Sequence, residues 1–296
     1  AAVDLRARIS ARLDTVPIPT VATFHSFGWQ LLRSGGDPET VPTRLLTGPE
    51  QDLAVRELLA GELEAGSTRW PPRLLPALKT GGMSRELRAL MAAVRGRGLE
   101  PDEFAAVADA GGLPDWVAAA HFFDEYLAVL DMRGAVDYSE VVHRARALVS
   151  ATPDLRGRYR AIYVDEYQDT DPAQVALLQE LTIPETSLVA VGDPDQAIYR
   201  FRGADVRGLL NFPVDFPAPD GSPAPIAVLG RTRRFGPQIR AVADSWISPV
   251  GLGTLPAAIR RRHRLPECAG PPGEVELLAF DSEATQAGGI ADLLRR

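Results

Sequence analysis

Lysine is almost missing from this chain. Lys79 is the only one, so arginine supplies the rest of the 32 basic side chains. A phosphate-binding loop of the form G-x-x-x-x-G-K-[ST] needs its lysine to reach the phosphate oxygens and its glycines to present backbone amides. Lys79 stands in ALKTGGMS, where Thr80 follows it correctly, but no glycine-rich loop precedes it and the surroundings read as helical. The 296 residues therefore contain no such loop. Cysteine is equally scarce: Cys268 is alone, which excludes an internal disulfide, and no Cys/His cluster of zinc or iron–sulfur spacing surrounds it. No stretch approaches the roughly 20 apolar residues of a membrane span. The N-terminus, AAVDLRARIS, has neither the apolar core nor the cleavage site of a secretory signal and reads as cytoplasmic. A net charge of −7 offers no global attraction for nucleic acid, although a local groove can still be basic.

What is present is an ordinary globular composition, 45% hydrophobic and 24% charged. The length suits two domains, or one domain carrying a large insertion. Residues 1–13 read as a helix, prolines at 17 and 19 break it, and the β-branched run at 20–23 reads as a short strand before a helix at 24–32. From 45 to 150 the texture changes to helical patterns such as GPEQDLAVRELL and DWVAAAHFFDEYLAVL, punctuated by Gly and Pro. AIYV at 161–164 then reads as a buried parallel strand, Asp171 and Pro172 start a helix, and SLVAV at 187–191 reads as a second strand. This βαβ unit carries carboxylates at both strand ends, the edge at which open α/β sheets bind ligands. The segment 211–225 holds five prolines and reads as a connector; beyond it, PIAVLG and EVELLAF (274–280) read as strands and FGPQIRAVADSWI as a helix.

Two strings carry the chemistry. VDEYQDTDPAQ (164–174) places adjacent carboxylates at a strand end, where Asp165 can hold a magnesium ion through water and Glu166 can activate a nucleophile. Phosphoryl transfer asks little else of a protein beyond cations that neutralise developing charge. VGDPDQAIYRFRGA (191–204) follows the second strand and combines a polar sensor, Gln196, with Tyr199, Phe201 and Arg202. Aromatic residues beside arginine are the types that stack on single-stranded bases. Tyr199 and Phe201 could instead be core.

Together, DEYQD and GDPDQAIYRFRGA resemble motifs II and III of superfamily 1 DNA helicases of the UvrD/Rep/PcrA type. Thr23, Phe24, His25 and Ser26 match the TFHS segment of that family, which touches the DNA backbone, and residues 1–8 resemble the tail of its AA-x-E-M-x-x-R motif with Asp4 and Leu5 in place of Glu and Met. LGRTRRF (229–235) is similar to the family's L-x-x-N-Y-R-S motif, placing Arg234 on the arginine that meets the γ-phosphate, with Thr232 and Arg233 replacing Asn and Tyr at the adenosine end. The resemblance implies an α/β chain of RecA-like P-loop NTPase fold, with a parallel sheet, a helical insertion subdomain and the start of a second RecA-like domain. Its expected segments are 1–44 and 151–212 for the first motor domain, 45–150 for the insertion, 213–225 for the connector and 226–296 for the second domain.

The resemblance further implies ATP and Mg2+ as cofactors, single-stranded and duplex DNA as partners, and movement with 3′ to 5′ polarity in DNA repair or recombination. Asp165 would bind the metal. Asp165, Glu166, Gln196, Arg202 and Arg234 would face the nucleotide, with Glu166, Gln196 and Arg234 acting in hydrolysis, and Thr23, Phe24, His25, Tyr199, Phe201 and Arg202 would meet DNA. GPEQDLAVRELL and the proline connector are most similar to two-motor helicase–nuclease machines, which implies a partner subunit. The missing phosphate loop lies upstream in the family, so truncation at both ends is the simplest expectation, and the chain alone is expected to be inactive. The alternative is an ATPase-inactive DNA-binding module derived from such a motor. The basic run at 260–264 reads as a solvated loop, with a DNA contact as the rival reading.

Overall fold

The computed structural model describes residues 2–12, 19–36, 41–66, 68–197, 206–248 and 255–295. Its contacts separate Ala1–Ala224 from Pro225–Arg296. The first unit runs α1 (Ala2–Ser10), α2 (Phe24–Gly35), β1 (Arg44–Leu45), α3 (Gly48–Glu64), α4 (Gly81–Gly96), α5 (Pro101–Ala110), α6 (Pro114–Met132), β2 (Ala135–Val136), α7 (Tyr138–Ala151), β3 (Ala161–Val164), α8 (Pro172–Leu181), β4 (Ser187–Ala190) and α9 (Val206–Asp215). The second runs β5 (Arg231–Thr232), α10 (Pro237–Ile247), α11 (Ala257–Arg264), β6 (Glu267–Cys268) and α12 (Glu283–Arg295). It is a mixed α/β architecture in which each described sheet is a parallel pair: β1 with β2, β3 with β4, and β5 with β6.

Short polar residues start the helices by accepting the first free amides. Thr23 accepts from the Ser26 N–H at 3.2 Å for α2, Thr80 from Met83 at 3.2 Å for α4, Asp137 from Glu140 at 3.0 Å for α7, and Asp171 from Gln174 at 2.8 Å for α8. At α3 the roles are reciprocal, with Glu50 Oε2 accepting from the Thr47 N–H and hydroxyl, both at 2.8 Å.

Two hydrophobic cores organise most of the first unit. The larger joins α3, α4, α5 and α6 around Phe122, Phe123, Tyr126 and Leu130, all nearly or fully buried. The other joins α2, α7 and α8 through Leu31, Val141, Ala145, Val149 and Leu177. Helices α2 and α7 approach closely at Gly28, where a Cβ would sit 3.1 Å from Val141 Cγ1 and 3.3 Å from Ala145 Cβ. Thus α7 lies within 45–150 by sequence but packs on the flanking α2 and α8. The break in packing comes near Asp137, which accepts from Tyr126 at 2.9 Å and Gln51 at 2.8 Å and ties the two cores together. Buried Arg95 of α4 makes a second tie, donating to Glu140 of α7 at 2.6 Å.

Several local expectations change. Residues 20–23 form no strand and 274–280 enters no ladder, while PIAVLG joins the β5–β6 pairing only at its end, where Gly230 O accepts from the Glu267 N–H at 2.8 Å; apolar runs become strands only where a partner backbone lies alongside. Helix α9 continues through Pro213 to Asp215, into the segment whose proline content marked a connector. The run 260–264 is the end of helix α11, not a loop. The short pair β1–β2 had no signal in the residue pattern, and β5 lies just beyond the PIAVLG run that was expected to hold the strand.

Candidate functional site

Strands β3 and β4 lie in register, Ala161 opposite Ser187 through Val164 opposite Ala190, so both chains reach the same edge together. Val191 N–H donates to Val164 O at 2.8 Å and Tyr167 N–H to Val191 O at 2.9 Å, which carries the pairing beyond the strands. Asp165 and Glu166 emerge there, both exposed. Glu166 has φ 53° and ψ 41°, the one non-glycine residue with positive φ among the described residues. Such a backbone costs a bulky residue on the order of 1–2 kcal/mol, and strain of this kind gathers where chain geometry serves a site.

The turn is held by residues that follow it. Tyr167 is fully buried against Phe212 of α9, ring centroids 5.1 Å apart and nearly perpendicular. Gln168 is 1% exposed and bridges the two strand ends: its Nε2 donates to Glu166 Oε2 at 2.6 Å and its Oε1 accepts from the Asp193 N–H at 3.0 Å. Asp193 Oδ2 in turn accepts from Gln196 Nε2 at 2.6 Å. An unbroken relay therefore links Glu166 to Gln196. Gly192 permits it, since a Cβ there would lie 2.7 Å from Gln168 Oε1.

The donor set suits a hard divalent cation held partly by water. Asp165 Oδ1 accepts from the Glu166 N–H at 3.0 Å, while Asp165 Oδ2 and Glu166 Oε1 have no protein partner among the described residues. Mg2+ is commonly held by one or two such carboxylates with waters completing its shell. Neighbouring Asp169 has its carboxyl raised above the ordinary range, by burial first and then by the charge of Glu166.

The family profile of the UvrD/REP helicase N-terminal domain matches residues 1–217. The chain belongs to the UvrD/REP helicase family. It is 30% identical over 226 residues to the ATP-dependent DNA helicase PcrA of Leuconostoc citreum, covering 73% of this chain and 28% of that protein. The ATP-dependent DNA helicase UvrD1 of Mycobacterium tuberculosis is 29% identical over 238 residues, with coverage of 73% and 28%. DNA helicase II of Escherichia coli K12 is 28% identical over 223 residues, with coverage of 73% and 29%. The chain therefore spans less than a third of the length of the curated relatives it matches.

Within this UvrD-family chain, Thr23 and His25 sit at the start of α2. Thr23 is exposed and spends its hydroxyl on the helix cap, while Phe24 is partly buried against Val164, Tyr167 and Leu178. The Phe24 ring thus supports the β3 edge. His25 meets Tyr138 edge-on, centroids 5.5 Å apart, and its pKa is lowered, chiefly by burial, against the opposing pull of Asp171 and Asp137. Tyr199, Phe201 and Arg202 lie outside the described residues. Arg234 is exposed in the second unit, its N–H donating to Thr232 Oγ1 at 3.4 Å. Lys79 ends a 3-10 turn inside the helical packing, before the α4 cap and with no strand leading into it.

Sequence reasoning missed Gln168 beside Glu166 and Tyr138 beside His25. Both stand beside residues that it did single out, but burial of an amide and an aromatic contact across 113 positions leave no local pattern. No described helix is long and apolar enough to cross a membrane.

Proposed function

We propose that this chain forms part of the motor of an ATP-dependent 3′ to 5′ DNA helicase, coupling ATP hydrolysis to movement along single-stranded DNA in repair or recombination. The observation that carries the reading is the relay from Glu166 through Gln168 and Asp193 to Gln196. In this reading the β3–β4 pair belongs to a RecA-like sheet, residues 45–150 supply an insertion subdomain and residues 226–296 begin a second RecA-like domain. Asp165 holds Mg2+, which when bound would neutralise phosphate charge. Glu166 orients and deprotonates the attacking water. Gln196 senses the γ-phosphate, and because it shares the relay with Glu166, a change at one is felt by the other. Arg202 and Arg234 supply cations to the phosphates.

DNA lies across the first unit near Thr23 and His25, where half-exposed Tyr138 adds an aromatic face, with Tyr199 and Phe201 stacking on bases. A helicase–nuclease partner subunit fits the same reading through the likeness of GPEQDLAVRELL and the proline connector to two-motor machines.

A second reading, an ATPase-inactive DNA-binding module, is favoured by the position of Lys79 in a helical segment. The coding sequence immediately upstream separates the two: an in-frame glycine-rich loop ending in Gly-Lys-Thr supports the motor, whereas a start codon immediately before Ala1 supports the module. With Mg-ATP and single-stranded DNA, the 296-residue chain is expected to show no turnover, for want of a phosphate loop. Turnover abolished by Glu166→Gln would overturn that expectation.

A further inference from the structure

Helix α11 and the residues around it gather positive charge. Residues 230–268 hold eight arginines against two carboxylates, Asp244 and Glu267, in a chain whose net charge is −7. Both carboxylates are engaged, Glu267 by Arg231 at 2.6 Å and Asp244 by Arg240 at 2.5 Å. Arg260, Arg261 and Arg262 are exposed, and among the described residues none of the three has a carboxylate partner.

Helix stability accounts for only part of this arrangement. Cations in the last turn interact favourably with the helix dipole, which suits Arg261, Arg262 and Arg264. Three consecutive exposed arginines also repel one another, and a polyanion removes that repulsion.

Beside the arginines lies an apolar floor. Ala257, Ala258 and Leu265 line a groove of about 530 Å³ together with Arg261 and Arg262, and Leu265 is 69% exposed. Guanidinium forks match phosphate oxygens in pairs. An apolar surface flanked by them matches a nucleotide, with its sugar or base on the floor and its phosphates at the rim. A duplex presents mainly its phosphates and leaves such a floor unused. A lipid surface calls for a broad apolar helix face, whereas α11 offers Ile259 and two alanines.

We propose that α11 and its adjoining groove bind single-stranded nucleic acid, with phosphates on Arg260, Arg261 and Arg262 and a sugar or base on Ala257, Ala258 and Leu265. This deepens the DNA-binding reading above and rests on it. The test is anisotropy of a labelled oligothymidine titrated with the 296-residue chain over a salt series. Three lost phosphate contacts, at a slope of roughly 0.7 each for a single strand, should lower the logarithmic salt slope by about 2 in the combined Arg260→Ala, Arg261→Ala, Arg262→Ala variant. Affinity near ~0.1 M salt should fall about a hundredfold. The corresponding triple lysine variant should keep most of the slope, and matching circular dichroism would show that both variants fold.

A triple alanine variant with unchanged slope and affinity overturns the proposal while leaving the DNA-binding reading intact, provided Thr23→Ala with His25→Ala weakens binding. A wild-type chain that binds no oligothymidine at low salt overturns both. Loss of duplex affinity with single-strand affinity retained overturns the single-strand assignment. Loss of binding to phosphatidylserine vesicles with oligothymidine binding unchanged would assign the helix to lipid instead.

Discussion

The Gln168 amide holds the Glu166 carboxylate at 2.6 Å from inside the protein, while its other end takes the Asp193 N–H. Gln168→Leu keeps much of the volume and removes both bonds. The Asp193 amide then stands beside an apolar group, a situation that costs about 1–3 kcal/mol when the amide stays buried. Urea unfolding should report a loss of that order, and hydrogen exchange at Asp193 should quicken more than at Val191, whose own bond to Val164 is untouched. Equal exchange at both positions, with stability unchanged, would show that the relay is not maintained in solution.

The tie between the two cores is open to a similar test. Arg95 and Glu140 are 2% and 3% exposed, and removing one member of such a pair leaves a buried charge uncompensated. Arg144 still donates to Glu140 at 3.0 Å, so Arg95→Met should cost near the lower end of the roughly 3–5 kcal/mol expected for such a break. Adding Glu140→Leu should restore part of it. If the double variant is less stable than Arg95→Met alone, the Arg144–Glu140 bond outweighs the relief of the uncompensated charge.

Acid should loosen the start of α3. Hydrogen bonds from the Thr47 N–H and hydroxyl, and the Arg44 guanidinium beside them, bring Glu50 down to about 2 from 4.5. Its ionised form is thus favoured by folding, and that contribution is complete above pH 4.5 and lost as pH falls toward 2. Glu50→Gln should remove this part of the acid dependence, measured as the pH profile of the urea midpoint.

The parts of this architecture written in local pattern could be read from the residues. Thr23, Asp137 and Asp171 are short acceptors ahead of amphipathic helices, and AIYV followed by paired acids gives a strand end its chemistry before any coordinates exist. Pairing is different. Residues 274–280 look as strand-like as 161–164, but only the latter find a parallel partner in the described structure, 26 residues further on. Packing is also non-local: α7 has the same helical texture as its neighbours, and only its contacts with α2 and α8 place it beside the β3–β4 unit. Gln168 shows the limit most sharply, because an amide between two acids reads as surface until the second strand end arrives above it.

His25 offers the last test, because burial and DNA pull its proton in opposite directions. Burial lowers its pKa below 6.5, and Asp171 and Asp137 only partly restore it. Folding therefore favours the neutral ring: the stability this gives is present above pH 6.5 and declines as pH falls toward the lowered folded value. A phosphate brought to the start of α2 favours the charged ring instead, so binding at this position takes up a proton. Single-strand affinity of the chain should rise as pH falls below about 6.5, with a slope of up to one proton per site. His25→Gln should flatten that profile, while Tyr138→Ala, which exposes the ring, should move the rise to higher pH. A profile that is the same in wild type and His25→Gln would place the phosphate elsewhere on the first unit.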